Sequence, residues 1–333
     1  MARNHAVSTE ITGYAVSAFQ YLYSLTHEPQ YRDRAVAAAE FLKGRSWDPA
    51  SLTLPFEIDP PAYTYFFDCG IVVRGLLSAW RATGTDEFLD VASALGRAMA
   101  RDFAADNGAF HPILALPDKR PAPYDAARWS RSPGCYQLKA AMAWWDLADA
   151  TGDEQFREPY RRVLAASLKS YAAFLPGHPD RLKVMDRLHA FLYFLEGLLP
   201  RTAEPACAAA LCDGIRRAAQ HLRQIAPAFD RSDVYAQLLR IRLYADWAGV
   251  MPLDRLAAQH EGEQLACFQA PGRTAGGGQR SDPRIEGGFY FGRQDGALTP
   301  YVNPVSTAFA LQALELWEQS MAGGAQPLRH LLI

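Results

Sequence analysis

The sequence has 333 residues, 49% of them hydrophobic and 21% charged, with a formal net charge of -2 and a pI near 6.5. This composition is typical of a globular protein, and it excludes a disordered chain and a strongly basic nucleic-acid-binding chain. The length permits two domains, but no low-complexity linker separates two halves. We therefore predict a single domain over residues 1–333.

Apolar helical stretches alternate along the chain with more charged, amphipathic stretches. A stretch that is apolar nearly all round predicts an inner helix surrounded by other helices, and an amphipathic stretch predicts an outer helix with one solvent-facing side. In chain order, the predicted inner helices are 10–25, 68–82, 134–150, 187–199, 232–248 and 304–317. Six repeats of this kind predict an all-α fold, the (α/α)6 toroid or six-hairpin barrel.

Three turns that follow inner helices have nearly the same sequence. They are THEPQY at 26–31, TGTDEF at 83–88 and TGDEQF at 151–156. Gly84 and Gly152 fit the position after a helix end, and the acidic residues fit the start of the next helix. The same helical hairpin is therefore predicted to recur.

Three connections are longer than the rest. They are residues 48–63, residues 106–133 and residues 269–302, the last of which contains three successive glycines at 276–278. Long irregular connections more often carry function than simply link helices. We expect them at the funnel face of the toroid, where the inner helices begin.

The repeated turns are accompanied by two further motifs, TExxGY from Thr9 and the Gly-Gly-Phe segment from Gly287 that precedes the Asn-Pro pair at Asn303. Together these resemble the six-hairpin glycosidase-like superfamily, whose (α/α)6 toroids include unsaturated-uronyl hydrolases, sugar 2-epimerases and glycoside hydrolases. The resemblance covers nearly the whole chain and implies the fold. It leaves the reaction open, because no catalytic motif of a subfamily matches residue by residue.

In such a toroid, the N-terminal ends of the inner helices converge on one funnel, so polar residues at those ends are predicted to be neighbours. Sugar chemistry needs carboxylates for proton transfer and aromatic rings for sugar faces. The predicted catalytic residues are Glu10, Asp68, Asp233, His189 and Tyr235. The predicted substrate-binding residues are Tyr14, Tyr65, Arg128, Arg131, Tyr136, Gln137, Asp186, Arg231, Arg293, Tyr301 and Asn303.

These positions also have purely structural interpretations. Asp68, Asp186, Asp233 and Asn303 fall where helix N-caps fall, and a capping side chain needs no substrate. Asp233 and Arg240 lie seven residues apart near one helix face, which fits a buried ion pair. If several arginines instead face the funnel, the substrate is anionic, such as a uronate, a sialic-type acid or a sugar phosphate.

Glu10 and His189 each have a functional and a structural interpretation. Glu10 lies one turn before Tyr14 on the same helix face, which favours a functional carboxylate over a charge that only stabilises the helix end. His189 can share a face with Asp186 and Tyr193, and its structural alternative is a core histidine satisfied by a neighbouring hydroxyl.

The residues that other toroid enzymes need for catalysis do not occur in this sequence. The Asp-x-Asp-Asp acid of class II terpene cyclases is absent, and Cys69 and Cys135 have no neighbouring Cys-His set for zinc. No phosphate-binding loop follows a strand, and no basic stripe is present. We predict no metal, no cofactor and no nucleic-acid partner. No stretch reaches the ~18 apolar residues of a membrane span, so we also predict a cytoplasmic protein without a membrane partner.

The sequence therefore predicts a carbohydrate-active protein, with an enzyme as the leading hypothesis. It would be a glycoside hydrolase, a lyase or a sugar epimerase that acts on a glycan or sugar acid by carboxylate acid/base chemistry. The alternatives are a catalytically inactive toroid that binds a saccharide or a protein partner, and a terpenoid-cyclase-like enzyme. Only eleven helices are predicted, so the C-terminal tail or a second protomer would complete the ring, which allows a homodimer.

Overall fold

The computed structural model describes residues 7–125, 127–226, 228–271, 282, 284–324 and 328–333. The predicted glycine loop at 276–278 lies outside these residues. The chain divides into two compact units. The first comprises Met1–Ala172, Glu196–Pro200 and Leu328–Ile333, and the second comprises Ala173–Leu195 and Arg201–Pro327. The single domain remains a prediction.

Eleven α-helices lie in the described part of the chain. They are α1 (Thr9–Thr26), α2 (Pro29–Phe41), α3 (Phe66–Thr83), α4 (Asp86–Asp102), α5 (Gln137–Thr151), α6 (Arg157–Phe174), α7 (Arg181–Leu198), α8 (Pro205–Ile225), α9 (Ser232–Trp247), α10 (Arg255–Ala266) and α11 (Pro304–Met321). The predicted inner helices correspond to α1, α3, α5, α7, α9 and α11. No helix of the described residues is long and apolar enough to cross a bilayer.

The inner helices supply the core of each unit. In the first unit, α1 packs against α3 and α3 packs against α5. In the second unit, α9 packs against α10 and α11. Most residues of α3, α5 and α9 are buried, whereas the outer helices α4 and α8 bury one face only. Inner helices are buried on most sides and outer helices on one side, which explains why apolar and amphipathic stretches alternate in the sequence.

The three repeated turns share one structure. In each, a threonine hydroxyl donates to the carbonyl four residues earlier and accepts from the N–H two residues later; these are Thr26, Thr83 and Thr151. A left-handed residue then ends the helix, with φ of 70° at Gly84, 73° at Gly152 and 56° at His27. Glycine adopts this conformation without steric cost, so the predicted C-caps are confirmed.

Glycines allow the inner helices of the first unit to touch backbone to backbone. A methyl group added at Gly70 would lie 2.5 Å from the carbonyl oxygen of Ala140 on α5. One added at Gly75 would lie 2.7 Å from the carbonyl oxygen of Gly13 on α1. Neither gap accommodates a Cβ atom, so the spacing of α1, α3 and α5 depends on these glycines.

We expect Gly70→Ala to destabilise the protein by about 1–3 kcal/mol, because α3 must move away from α5 to admit the methyl group. Urea denaturation followed by circular dichroism measures this loss. Gly44→Ala is the matched control, since nothing lies within 4 Å of its added methyl group. Equal stability of the Gly70 variant and the wild type would show that α3 and α5 separate without cost.

Two small antiparallel sheets occur in the described residues. The strands are β1 (Tyr63–Tyr65), β2 (Ile113–Ala115), β3 (Arg120–Pro121), β4 (Phe229–Arg231), β5 (Gly292–Gln294) and β6 (Ala297–Leu298). Four of these six strands, β2, β3, β5 and β6, lie within the connections that the sequence predicted to be irregular. The order is β1-β2-β3 in the first unit and β4-β5-β6 in the second. Strand pairing satisfies backbone groups that an irregular connection would leave unpaired. Because β1 runs directly into α3 and β4 into α9, each sheet fixes the start of an inner helix.

The C-terminal residues pack within the first unit. A short 3-10 helix at Arg329–Leu331 contacts α1 and α3. Leu332 and Ile333 are buried, and the Lys139 ammonium donates to the carbonyl oxygen of Ile333 at 2.9 Å. The homodimer remains a prediction.

Candidate functional site

Two carboxyl groups lie in the first turns of neighbouring inner helices, Glu10 on α1 and Asp68 on α3. Burial raises the pKa of Glu10 from 4.5 to about 7. Burial also raises the pKa of Asp68 well above its usual value, and the negative charge of Glu10 raises it further. Each group therefore holds its proton more tightly than an exposed carboxyl group does.

Nothing in the described residues neutralises this pair. Neither Glu10 nor Asp68 forms an ion pair there. Asp68 is only 5% exposed, and its Oδ2 atom is buried without a hydrogen-bond partner. A buried carboxyl oxygen without a partner costs free energy, and such groups are rare outside functional sites.

Two connections hold these helix starts in place, 48–63 for α1 and 106–133 for α3. The Thr9 hydroxyl donates to the carbonyl oxygen of Pro55 at 2.8 Å, which ties the start of α1 to the 48–63 connection. The Phe66 N–H donates to the carbonyl oxygen of Pro112 at 2.9 Å, next to β2. Glu10 and Asp68 follow these anchored residues by one and two positions, so their backbone positions are fixed.

Other predicted site residues of the first unit lie within electrostatic range of this pair. The pKa of Tyr65 is raised by burial and by the charge of Asp68, and Arg131 opposes the shift. The pKa of Tyr136 is raised chiefly by burial, with a contribution from Asp68. The Tyr136 ring also meets the Trp129 ring edge-on at 5.0 Å. Two tyrosines thus lie within electrostatic range of Asp68, and Arg131 lies within range of Tyr65.

Three further predicted residues have structural partners. Gln137 accepts from the Gly134 N–H at 3.2 Å and donates to the carbonyl oxygen of Phe110 at 3.1 Å. Tyr14 is buried one turn after Glu10. Arg128 is mostly exposed, 3.7 Å from a carboxylate oxygen of Asp125.

Arg231 is the centre of a second cluster, which lies in the second unit. Its guanidinium forms two hydrogen bonds to the Asp233 carboxylate, at 2.9 and 2.5 Å, and one to Asp186 at 2.5 Å. The Phe291 ring lies 4.4 Å from the guanidinium carbon, and Tyr301 stacks on Phe291 at 5.3 Å. Arg231 lowers the pKa of Asp233 against the effect of burial, so Asp233 is ionised.

His189 lies beside this ion pair. Its Nδ1 atom is 2.7 Å from Gln237 Oε1 and 3.5 Å from Asp233 Oδ2. Both oxygens accept, so Nδ1 carries the proton and Nε2 carries the lone pair. Burial lowers the pKa of His189 below 6.5, although Asp233 opposes the shift. The imidazole is therefore neutral at pH 7, and Nε2 has no hydrogen-bond partner in the described residues.

Tyr235 contacts a different carboxylate. Its hydroxyl lies 3.5 Å from Asp230 Oδ2, and Arg293 donates to the same oxygen at 2.6 Å. Burial raises the pKa of Tyr235, followed by the charge of Asp230, so the phenol keeps its proton. Asp230 was not predicted, although the run FDRSD at 229–233 places it directly before Arg231.

The N-cap interpretation holds for one of the four predicted positions. Asn303 accepts from the N–H groups of the two residues that begin at Val305 and caps α11. Asp68 and Asp233 instead lie inside the first turns of α3 and α9. Asp186 lies in the second turn of α7, because that helix begins six residues earlier than its predicted entry.

The predicted ion pair between Asp233 and Arg240 is wrong. Arg240 donates to Gln312 Oε1 on α11 at 2.9 Å, and its guanidinium lies 4.1 Å from the centre of the Phe309 ring. Asp233 is paired with Arg231 instead, because β4 brings that residue to the start of α9. Among the residues with described positions, no group of three or more His, Cys, Asp or Glu side chains is arranged to hold a metal ion.

No protein-family model and no curated protein matches the sequence. The structure is similar to solved structures of carbohydrate enzymes. Cellobiose 2-epimerase from Spirochaeta thermophila DSM 6192 aligns over 94% of this chain and 87% of its own, with 12% identity and a TM-score of 0.72. A sugar epimerase from a ruminal bacterium aligns over 94% and 87%, with 13% identity and a TM-score of 0.69. An alpha-amylase from Clostridium perfringens aligns over 95% and 89%, with 11% identity and a TM-score of 0.61.

This likeness confirms the predicted fold, the (α/α)6 toroid. At such low identity it shows the fold alone. Two of the three structures are named as sugar epimerases and the third as an amylase, so the reaction of this chain has to be argued from its own residues.

Proposed function

We propose that this protein is a carbohydrate-active enzyme in which Glu10 and Asp68 transfer protons to and from a bound sugar. The observation that carries the proposal is the Asp68 carboxyl group, which is buried beside Glu10 without an ion pair and with one oxygen lacking a hydrogen bond. A capping or structural carboxylate would have partners. A proton-transfer group needs a raised pKa and a free oxygen.

Glycosidic bond hydrolysis is the reaction that fits two neighbouring carboxyl groups best. One of them protonates the leaving oxygen, and the other acts as a base or nucleophile. Asp68 is more deeply buried, and burial and the charge of Glu10 both raise its pKa, so we assign it the role of the acid. Glu10 is partly exposed, and burial raises its pKa to about 7, so we assign it the role of the base, which has to be ionised near neutral pH.

The surrounding residues suit a saccharide. Tyr65 and Tyr136 lie within electrostatic range of Asp68, and Trp129 packs edge-on against Tyr136. Sugar rings stack on aromatic faces. Arg131 acts on the pKa of Tyr65 and forms no ion pair in the described part of the chain, so it is available to a substrate carboxylate. A uronate-containing glycan is therefore included among the substrates to be tested.

Sugar epimerisation is a second candidate, and His189 is the observation that favours it. A neutral imidazole with an unoccupied Nε2 can remove a proton from a carbon next to a carbonyl group, which is the first step of epimerisation. Asp233 and Gln237 fix the tautomer that this step needs. Two of the solved structures with this fold belong to sugar epimerases.

One experiment separates the reactions. The wild-type protein is incubated in deuterated buffer with cello-, malto-, manno- and uronate oligosaccharides and followed by NMR. Hydrolysis gives new reducing ends, epimerisation gives deuterium at the carbon next to the carbonyl, and elimination gives an unsaturated product. The Glu10→Gln, Asp68→Asn double variant is the control. Turnover that persists in the double variant would contradict the roles of the carboxyl pair, and saccharide binding without turnover would support an inactive binding protein.

If epimerisation is observed, we expect His189→Asn to slow deuterium incorporation about 10²-fold or more, because asparagine cannot remove the proton. His260→Asn, at an exposed position of α10, is the control and should leave the rate unchanged. An unaltered rate in the His189 variant would assign the base to another residue.

A further inference from the structure

A cavity of about 470 Å³ lies in the first unit, between the end of α2 and the 48–63 connection. Its apolar walls include Trp47, Ile58 and the rings of Pro55, Pro61 and Pro117. None of the residues proposed for catalysis lines it. The volume falls within the range of small-molecule binding sites, which is roughly 300–1,000 Å³.

The residues at the end of α2 reach this cavity through an irregular helical turn. Residues Leu42–Ser46 form a π-helical turn, and the Trp47 N–H donates to the carbonyl oxygen of Leu42 at 2.9 Å. Arg45, Ser46 and Trp47 follow one another in this turn, and all three line the cavity. Single π-helical turns of this kind occur frequently at functional sites.

Three side chains at the end of this turn, those of Arg45, Ser46 and Trp47, have no hydrogen-bond, ion-pair or ring partner in the described residues. The Ser46 side chain is 3% exposed, and its Oγ atom is buried without a hydrogen bond. Arg45 forms no ion pair, and Trp47 makes no ring contact there. A buried hydroxyl, an exposed arginine and a half-buried indole without such partners in the described residues are therefore collected at one cavity.

Asp48 supplies an acceptor at the same cavity. Its carboxylate accepts from the Ala50 N–H at 3.0 Å and from the Ser51 hydroxyl at 2.5 Å. These hydrogen bonds lower the pKa of Asp48, so it is ionised at neutral pH. Arg45 and Asp48 carry opposite charges, and a neutral ligand with hydroxyl groups can accept from one and donate to the other.

We propose that this cavity is a second saccharide-binding site, separate from the carboxyl pair, that holds a neutral oligosaccharide. The Trp47 indole and the proline rings match the C–H faces of sugar rings, and Arg45, Ser46 and Asp48 match their hydroxyl groups. The existence of the site follows from the cavity and its unpartnered groups. The choice of a saccharide as ligand rests on the proposed function.

The test measures binding of cellotriose, maltotriose, mannotriose and xylotriose by ligand-observed NMR and calorimetry. We expect at least one trisaccharide to bind, and Arg45→Ala and Trp47→Ala each to weaken that binding at least tenfold. Trp47→Phe keeps an aromatic ring and should retain part of the affinity. Arg34→Ala, at an exposed position of α2 outside the cavity, is the matched control and should bind like the wild type.

The Glu10→Gln, Asp68→Asn double variant separates this site from the proposed catalytic one. Binding that the double variant keeps and the Arg45 variant loses supports the second site. Equal binding by the wild type and both cavity variants overturns it, and so does the absence of binding to all four sugars. Binding through Arg45 and Trp47 without turnover of any oligosaccharide would contradict the proposed function and leave the second site standing.

Discussion

Glu10→Gln is expected to lower the turnover of the wild-type substrate by about 10²-fold or more, with little loss of stability. Glutamine keeps the shape of the side chain but cannot accept a proton. The matched control is Glu87→Gln, which changes an exposed acid in the first turn of α4. That control should cost at most ~0.3–1 kcal/mol of helix stabilisation and leave turnover intact. Steady-state kinetics and thermal melts of the two variants distinguish a catalytic Glu10 from a charge that only stabilises the helix end.

The same carboxyl group predicts how activity and stability depend on pH. If Glu10 is the base, the wild-type rate should rise as pH increases through about 7, where burial places its pKa. A rate that falls over this range would make Glu10 the acid and reverse the assignment with Asp68. An unchanged rate in the Glu10→Gln variant would contradict the role of Glu10 altogether.

The contribution of Glu10 to the free energy of unfolding should fall as pH rises, whereas the rate should increase. The pKa of Glu10 is raised in the folded protein from 4.5 to about 7, so between these values the folded state binds more protons than the unfolded state. Its stabilising contribution is complete below pH ~4.5 and is lost as pH rises through about 7. The melting temperature of Glu10→Gln should therefore gain on that of the wild type as pH increases from 4.5 to 8. Parallel melting curves would show that the carboxyl group has an ordinary pKa.

Arg231→Met is expected to destabilise the protein by about 3–5 kcal/mol, because it leaves the buried Asp233 carboxylate without its cation. The loss of the two hydrogen bonds and of the Phe291 contact adds to this cost. Urea denaturation at pH 7 measures the change. Adding Asp233→Asn to the variant should restore part of the lost stability, since the uncompensated charge is then removed.

Arg128→Met is the control for this prediction. Arg128 is mostly exposed and lies 3.7 Å from a carboxylate oxygen of Asp125, so its loss should cost no more than ~1 kcal/mol. If the Arg231 and Arg128 variants lose equal stability, Asp233 must gain solvent or another partner when Arg231 is absent. A full loss that Asp233→Asn does not relieve would assign the effect to packing against Phe291.

The sequence determined the local structure of this protein. The threonine and glycine turns, the Asn303 cap and the alternation of apolar and amphipathic helices depend on residues within a few positions of one another, so periodicity and turn chemistry predict them. The position of Glu10 at the start of an apolar helix is local information of the same kind. What the sequence did not contain is the environment of its carboxyl group.

Only the tertiary structure decided which distant groups meet. Arg240 donates to Gln312, 72 residues away, rather than pairing with Asp233, and Arg231 donates to Asp186, 45 residues away. The same holds for Asp68, whose raised pKa comes from burial and from a charge on another helix. Burial, strand register and electrostatic coupling depend on all the elements packed around a residue, and a short sequence pattern records none of them.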